Sequence, residues 1–199
     1  MEKSTDRRVR KTKAQLRTGL AKLMKEKNVN DITVKELVEE VDINRSTFYL
    51  HYTDIRNMLE SVEQEMLEEI EVLIREHPIG LNENTFLFIA DLFSIMETNK
   101  DLCAALIGPT GDMAFIYKIE KIIRENSMKA LTPYFPTALD DLKYSYDFCL
   151  NGSFGLVKSW LLNNGSETPE HMAKLTYHMV MNSMQAFYNP ILEKRKSRQ

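Results

Sequence analysis

The twelve residues INRSTFYLHYTD, Ile43 to Asp54, hold a guanidinium, three aliphatic hydroxyls, an imidazole and three aromatic rings. Asn44, Arg45, Ser46 and Thr47 are too polar for a buried helix, and Phe48, Tyr49, Leu50 and Tyr52 are too apolar for a solvated one. The segment is built to meet something other than water. Its groups are hydrogen-bond donors and flat faces, which suit base edges and phosphates.

Catalysis is not legible anywhere in the chain. There is no phosphate-binding glycine loop, no His-Glu-x-x-His and no Gly-x-Ser-x-Gly, and the four histidines and two cysteines supply no nucleophile with its base. His171 and His178 lie seven apart without carboxylate or cysteine partners at i+3 or i+4, so no metal site is expected, and no cofactor is expected either. Cys103 and Cys149 give no disulfide framework and read as small buried hydrophobes. No run approaches a membrane span and the start MEKSTDRRVRK has no apolar leader core, which makes the expected compartment the cytoplasm.

The chain has 199 residues, 43% of them hydrophobic, enough for a sizeable core. Its net charge of −3 argues against a nucleic-acid partner, but the distribution argues for one. Residues 1–27 carry ten basic and three acidic side chains, a net +7, which leaves −10 for the rest. A basic head on an acidic body suggests a polyanion partner.

The elements that must position the polar segment follow from periodicity, which predicts an all-α protein. Leu16, Leu20, Leu23 and Met24 stripe a first helix, ended by Asn28 to Asp31. Thr33 with Glu36 three residues on is a capping box for a second helix with Val34, Leu37, Val38 and Val41 inward. Asp42 to Asn44 leave room only for a tight turn. A brief third helix runs from about Asn44 to His51, with Phe48 as its core anchor. Two short helices joined by such a turn form a helix-turn-helix, whose second helix enters the DNA major groove and leaves Arg45, Ser46, Tyr49 and Leu50 outward. Asp54 then caps a connecting helix over about 54–76, with Ile55, Met58, Leu59, Val62, Met66, Ile70, Leu73 and Ile74 on one face. Later helices are expected at about 85–97, 101–106, 112–131, 138–163 and 169–188. The breaks between them fall at Asn99-Lys100, Gly108-Pro109, Pro133 to Pro136 and Asn163 to Gly165.

The run DITVKELVEEVDINRSTFYLHYTDIRNMLESV resembles the DNA-binding domain of the TetR-type family of bacterial transcriptional regulators, over about Lys11 to Met66. The stretch FCLNGSFGLVKSWLLNNGSETPEHMAKL is similar, less specifically, to the body of one subgroup. The resemblance implies a helix-turn-helix domain at 1–53 and a helical effector-binding and dimerisation domain at 54–199. It implies base contacts from Lys35, Arg45, Ser46 and Leu50 and phosphate contacts from Thr33, Tyr49 and His51. Arg45 suits guanine O6 and N7, Ser46 is permissive, and Leu50 suits a thymine methyl. The chain departs from the pattern at Ile55, where many members carry a lysine, and Lys13, with Arg10 and Arg17, is the candidate for the missing phosphate contact.

In the body, Phe86, Phe93, Met96, Phe115, Tyr117, Phe148 and Trp160, with Tyr144, read either as plain core or as the lining of an effector pocket. Gly152, Ser153 and Gly155 interrupt a long helix at a cost of roughly 1 kcal/mol per glycine. Either a close contact with a second copy or packing inside one chain would offset it. The family dimerises through its last two long helices, so the resemblance implies a homodimeric regulator of a palindromic operator, by habit a repressor released by an effector. An activator, or a regulator controlled by a protein partner rather than a small molecule, is the alternative.

Overall fold

Leu16, Leu20, Ala21 and Met24 are buried on one face of α1 (Glu2–Met24), the spacing that gives a helix a single apolar stripe. The computed structural model describes residues 2–108, 113–135, 139–162 and 167–185. Among these residues there are nine α-helices and no strand, the all-α architecture expected. After α1 come α2 (Val34–Glu40), α3 (Arg45–Tyr49), α4 (Ile55–Glu76), α5 (Glu83–Thr98), α6 (Lys100–Ile107), α7 (Met113–Leu131), α8 (Leu139–Leu162) and α9 (Pro169–Gln185). The expected breaks at Pro109, Pro136 and Asn163 to Gly165, and the last residues of a final helix reaching Tyr188, lie outside the described residues.

The chain forms two compact units, each taken by itself. The first comprises residues 1–69 and 99–118. In it α1 packs on α2 and α6, and α2 packs on α3. Leu37 of α2, Phe48 of α3 and Met58, Leu59 and Val62 of α4 are nearly or fully buried, which builds a core around two short helices, α2 and α3, that could not stand alone. Glu63 of α4 is buried and paired with Lys118 at 3.4 Å, and Lys25, just beyond α1, bonds Asp101 of α6 at 2.6 Å. The second unit comprises residues 70–98 and 119–199. Here α9 packs on α5 and on α8. Phe93 meets Trp160 edge to face with ring centroids 5.3 Å apart, and Phe86 meets Tyr177 at 5.5 Å. Such pairs add about 0.5–1.5 kcal/mol beyond the area they bury. Ser127 of α7 and Tyr146 of α8 share a buried hydroxyl–hydroxyl hydrogen bond beside Arg124, which pairs with Asp147 and Glu120.

Local chemistry explains where the short helices begin. Thr33 and Glu36 form the reciprocal capping box at the start of α2: Glu36 N–H donates to Thr33 Oγ1 at 3.2 Å, and Thr33 N–H donates to Glu36 Oε2 at 2.9 Å. Asn44 caps α3 by accepting from the Ser46 N–H at 2.9 Å, and Asp54 caps α4 by accepting from the Asn57 N–H at 2.8 Å. At the end of α2, Ile43 N–H donates to Val38 O at 3.0 Å and Asp42 N–H to Glu39 O at 3.4 Å. These two bonds define a Schellman turn, and they put Asp42 at φ 50°, the left-handed position that usually takes glycine.

Among the described residues, no helix is long and apolar enough to cross a membrane.

Candidate nucleic-acid interface

Phe48 sets the geometry of α3. It is fully buried, and its ring lies 5.5 Å from Tyr49 and 5.8 Å from Tyr52. With Phe48 as anchor and Thr47 half-buried, the other side chains of the helix and its C-cap are turned out: Arg45, Ser46, Tyr49 and Leu50 are exposed, Leu50 at 79%. An exposed leucine beside an exposed tyrosine and an arginine is an expensive surface in water and a useful one against DNA, where apolar contact with thymine methyls accompanies hydrogen bonding.

Each predicted residue has a definite setting. Arg45 donates through Nε and Nη2 to the Tyr49 hydroxyl, at 3.3 and 3.0 Å. Ser46 donates its Oγ–H to Asn44 Oδ1 at 2.9 Å, so its oxygen faces outward as an acceptor only. Lys35 is exposed on α2, 3.9 Å from Glu39, a spacing that holds it weakly. His51 is half-buried, its ring 6.3 Å from that of Tyr52.

Thr33 and Lys13 are more committed. The Thr33 hydroxyl donates to Glu36 Oε2 at 2.8 Å, and a bond to phosphate requires it to leave that partner. Lys13 lies 3.6 Å from Glu65 and 5.9 Å over the Tyr52 ring. Arg17 also pairs with Glu65, Lys22 with Glu40 at 2.5 Å, and Lys27 with Glu36 at 2.6 Å. Part of the basic charge counted over residues 1–27 is therefore engaged by carboxylates of the first unit. Sequence position could not reveal this, because Glu65 is 48 residues from Arg17. Lys27, together with the Thr33 bonds, holds the Glu36 carboxyl down at about 2.

Arg56 has a setting that the motif did not single out. Ile55 is buried, which accounts for an apolar residue at that place. Arg56, next along the chain, is exposed, 3.5 Å from Glu60 and 3.4 Å from Asn30 Oδ1. It borders a cleft of about 270 Å³ lined also by Val29, Asn30, Ile32, Val34, Asp54 and Ile55.

The body residues separate. Phe93, Met96, Phe115 and Trp160 are buried, and Phe86 is half-buried against Tyr177. Tyr117 and Phe148 are 69% and 72% exposed, so neither lines an interior cavity. Phe148 instead joins Tyr144, 76% exposed, on one face of α8, which continues through Gly152 and Gly155. Among the described residues, a Cβ on either glycine would meet nothing within 4 Å.

A helix-turn-helix whose second helix turns an arginine, a serine, a tyrosine and a leucine outward, set in an all-α chain, defines the class of helical DNA-binding transcriptional regulators. Comparison gives the family. Residues 83–182 match TetR_C_8, the transcriptional regulator C-terminal region, and the chain belongs to the TetR-type regulators. A curated relative, the uncharacterised HTH-type transcriptional regulator YxbF of Bacillus subtilis (strain 168), is 32% identical over 85 residues. That match covers 43% of this chain and spans only 18% of the relative's length. Among solved structures, a TetR transcriptional regulator from Streptococcus agalactiae 2603V superposes with a TM-score of 0.54 at 20% identity, over 90% of this chain and 99% of that one. FadR from Bacillus subtilis, in complex with stearoyl-CoA, superposes with a TM-score of 0.58 at 14% identity, over 85% and 98% of the two chains. At these identities the structures speak for the fold.

Proposed function

We propose that the protein is a homodimeric repressor, acting in the cytoplasm without a catalytic step of its own, that binds a palindromic operator and is released by an effector. The observation that carries the DNA-reading part is α3 itself, one buried phenylalanine holding four outward side chains. In this reading Arg45, Ser46, Leu50 and Lys35 meet base edges, and Tyr49 and His51 meet phosphates. Thr33 and Lys13 meet phosphates by leaving Glu36 and Glu65, and Arg56, itself 3.5 Å from Glu60 but 57% exposed, adds a phosphate contact at the start of α4. Arg45 offers donors, Ser46 an acceptor and Leu50 an apolar contact, a combination that discriminates between base pairs in the major groove.

The dimer is supported by the exposed face of α8. Tyr144 and Phe148 would be buried by a second copy, and the open sides of Gly152 and Gly155 would let its backbone approach closely. Two-fold symmetry then asks for half-sites about one helical turn, roughly 34–36 Å, apart. An effector held in the body acts by its differential affinity for DNA-competent and incompetent arrangements of the dimer. The fold is that of FadR, solved with stearoyl-CoA, and a body ligand of some kind is in keeping with it. The second reading, an activator or a regulator answering to a protein partner, uses the same α3 surface.

The test is selection from a random duplex library at a stated salt concentration, with sequencing of the retained fraction. Recovery of a palindrome that Arg45→Ala abolishes supports the reading and gives the operator. Salt-sensitive retention with no enriched motif would leave only nonspecific attraction between charges.

A further inference from the structure

Arg45 and Tyr49 stand four residues apart on α3, one turn, and both are exposed. The guanidinium carbon lies 5.6 Å from the centre of the tyrosine ring, and the Nε and Nη2 groups both point at the hydroxyl oxygen. A guanidinium has two edges on which it can form a pair of parallel hydrogen bonds, the side edge of Nε and Nη2 and the end edge of Nη1 and Nη2. Here the tyrosine oxygen occupies the side edge. Two hydrogens on Nη1 and the second on Nη2 stay unused by it, so the end edge is the one the tyrosine leaves for a base.

We propose that Tyr49 is a positioning residue for Arg45: its hydroxyl accepts the side edge of the guanidinium and fixes the end edge as the fork that reads guanine O6 and N7. This rests on the reading of α3 as the recognition helix. It differs from a phosphate contact by Tyr49, which needs the hydroxyl as a donor. Accepting from Arg45 leaves that hydrogen available, so the two roles coexist on one side chain and are separable by what each would do to sequence preference. Phosphate contacts fix register and affect all sequences alike, whereas an arginine set in the right direction affects one base pair. The gain is entropic: an exposed arginine samples many rotamers, and one already held in place loses less freedom on binding.

Tyr49→Phe keeps the ring that meets Phe48 at 5.5 Å and removes only the hydroxyl, so the fold of α3 is preserved. The random-duplex selection is run with the native chain, Arg45→Ala, Tyr49→Phe and the double variant, and preference is compared position by position. Arg45→Ala should erase discrimination of about 5- to 150-fold at one base pair of each half-site. Tyr49→Phe should lower discrimination at that same base pair by several-fold and leave the others as they were, and the double variant should lose no more than Arg45→Ala alone. A Tyr49→Phe protein that binds every duplex more weakly by one common factor, with the Arg45-dependent preference intact, overturns the positioning role and leaves the recognition-helix reading standing. If Arg45→Ala changes no base preference, the recognition-helix reading itself fails, and the positioning role with it.

Discussion

Gly19 of α1 approaches Val41, just beyond α2, so closely that a Cβ on the glycine would lie 2.3 Å from Val41 Cγ1. Leu37 Cδ1 would be 3.1 Å away. The glycine is therefore the point at which α1 settles onto the helix-turn-helix. Gly19→Ala adds helix propensity of about 1 kcal/mol, and overpacking against a β-branched side chain one bond from its backbone costs roughly 1–3 kcal/mol. The second should win. The expected result is a lower urea midpoint and weaker DNA binding, and a raised midpoint would show that Val41 turns aside freely.

Asp42 is the converse case, a residue with a side chain where glycine would be easier. Its φ of 50° carries the Schellman turn that joins α2 to α3. A left-handed residue costs roughly 1–2 kcal/mol, partly offset in a substitution by the greater freedom that glycine has in the unfolded chain, about 0.4–1 kcal/mol. Asp42→Gly should stabilise the protein by about half to one kcal/mol on that balance. Asp42→Val should destabilise it, because a β-branched residue fits that region poorly. Thermal melts of both variants give the sign directly.

Glu36 links the start of α2 to pH. Its carboxyl is held at about 2, chiefly by the bond from Lys27 and then by those from Thr33, against an ordinary value of 4.5. A lowered folded value means stability that is complete above about 4.5 and is lost as pH falls through about 2. Glu36→Gln keeps an acceptor for the Thr33 N–H and removes the charge that Lys27 meets. Its denaturation midpoint should lie below the native one near neutral pH, and the gap should narrow from about pH 4.5 downward. A gap that stays constant across that range would mean that the ion pair with Lys27 is not what the native chain loses in acid.

How much of this was legible in the sequence depends on distance along the chain. The Thr33 box, the Asp54 cap and the buried Phe48 were readable because each is settled within one helical turn. The Arg45–Tyr49 pair is equally local and could have been found from its i,i+4 spacing. Three facts were out of reach. Gly19 matters because of Val41, Lys13 and Arg17 are engaged because of Glu65, and residues 99–118 join the first unit because α6 packs on α1. Each depends on which faces meet, and hydrophobic periodicity gives a helix its buried face without giving its neighbour. The exposure of Phe148 and Tyr117 has the same origin, since a large aromatic residue is as useful at an interface as in a core.

Cys103 offers a probe of the first unit. Burial pushes its thiol up to about 12 from an ordinary 9, so at neutral pH it is neither ionised nor accessible. A raised folded value contributes stability present below about 9 and lost as pH climbs toward 12. Labelling by a thiol reagent near pH 8 should therefore report opening of the unit rather than surface chemistry, and should quicken in Gly19→Ala. Fast labelling of the native chain would place Cys103 at the surface.

The two glycines of α8 should separate the stability of one chain from that of the pair. Among the described residues the space beside each is open, so Gly152→Ala and Gly155→Ala should each strengthen the helix by up to about 1 kcal/mol. If the face they share with Tyr144 and Phe148 lies against a second copy, the added methyl groups push the two backbones apart and weaken dimerisation. Sedimentation of the double variant across a dilution series measures the second effect, and urea unfolding below the dissociation midpoint measures the first. More stable chains that associate less well would assign the open stripe of α8 to the dimer. Gains in stability with association unchanged would send the search for the interface to α9.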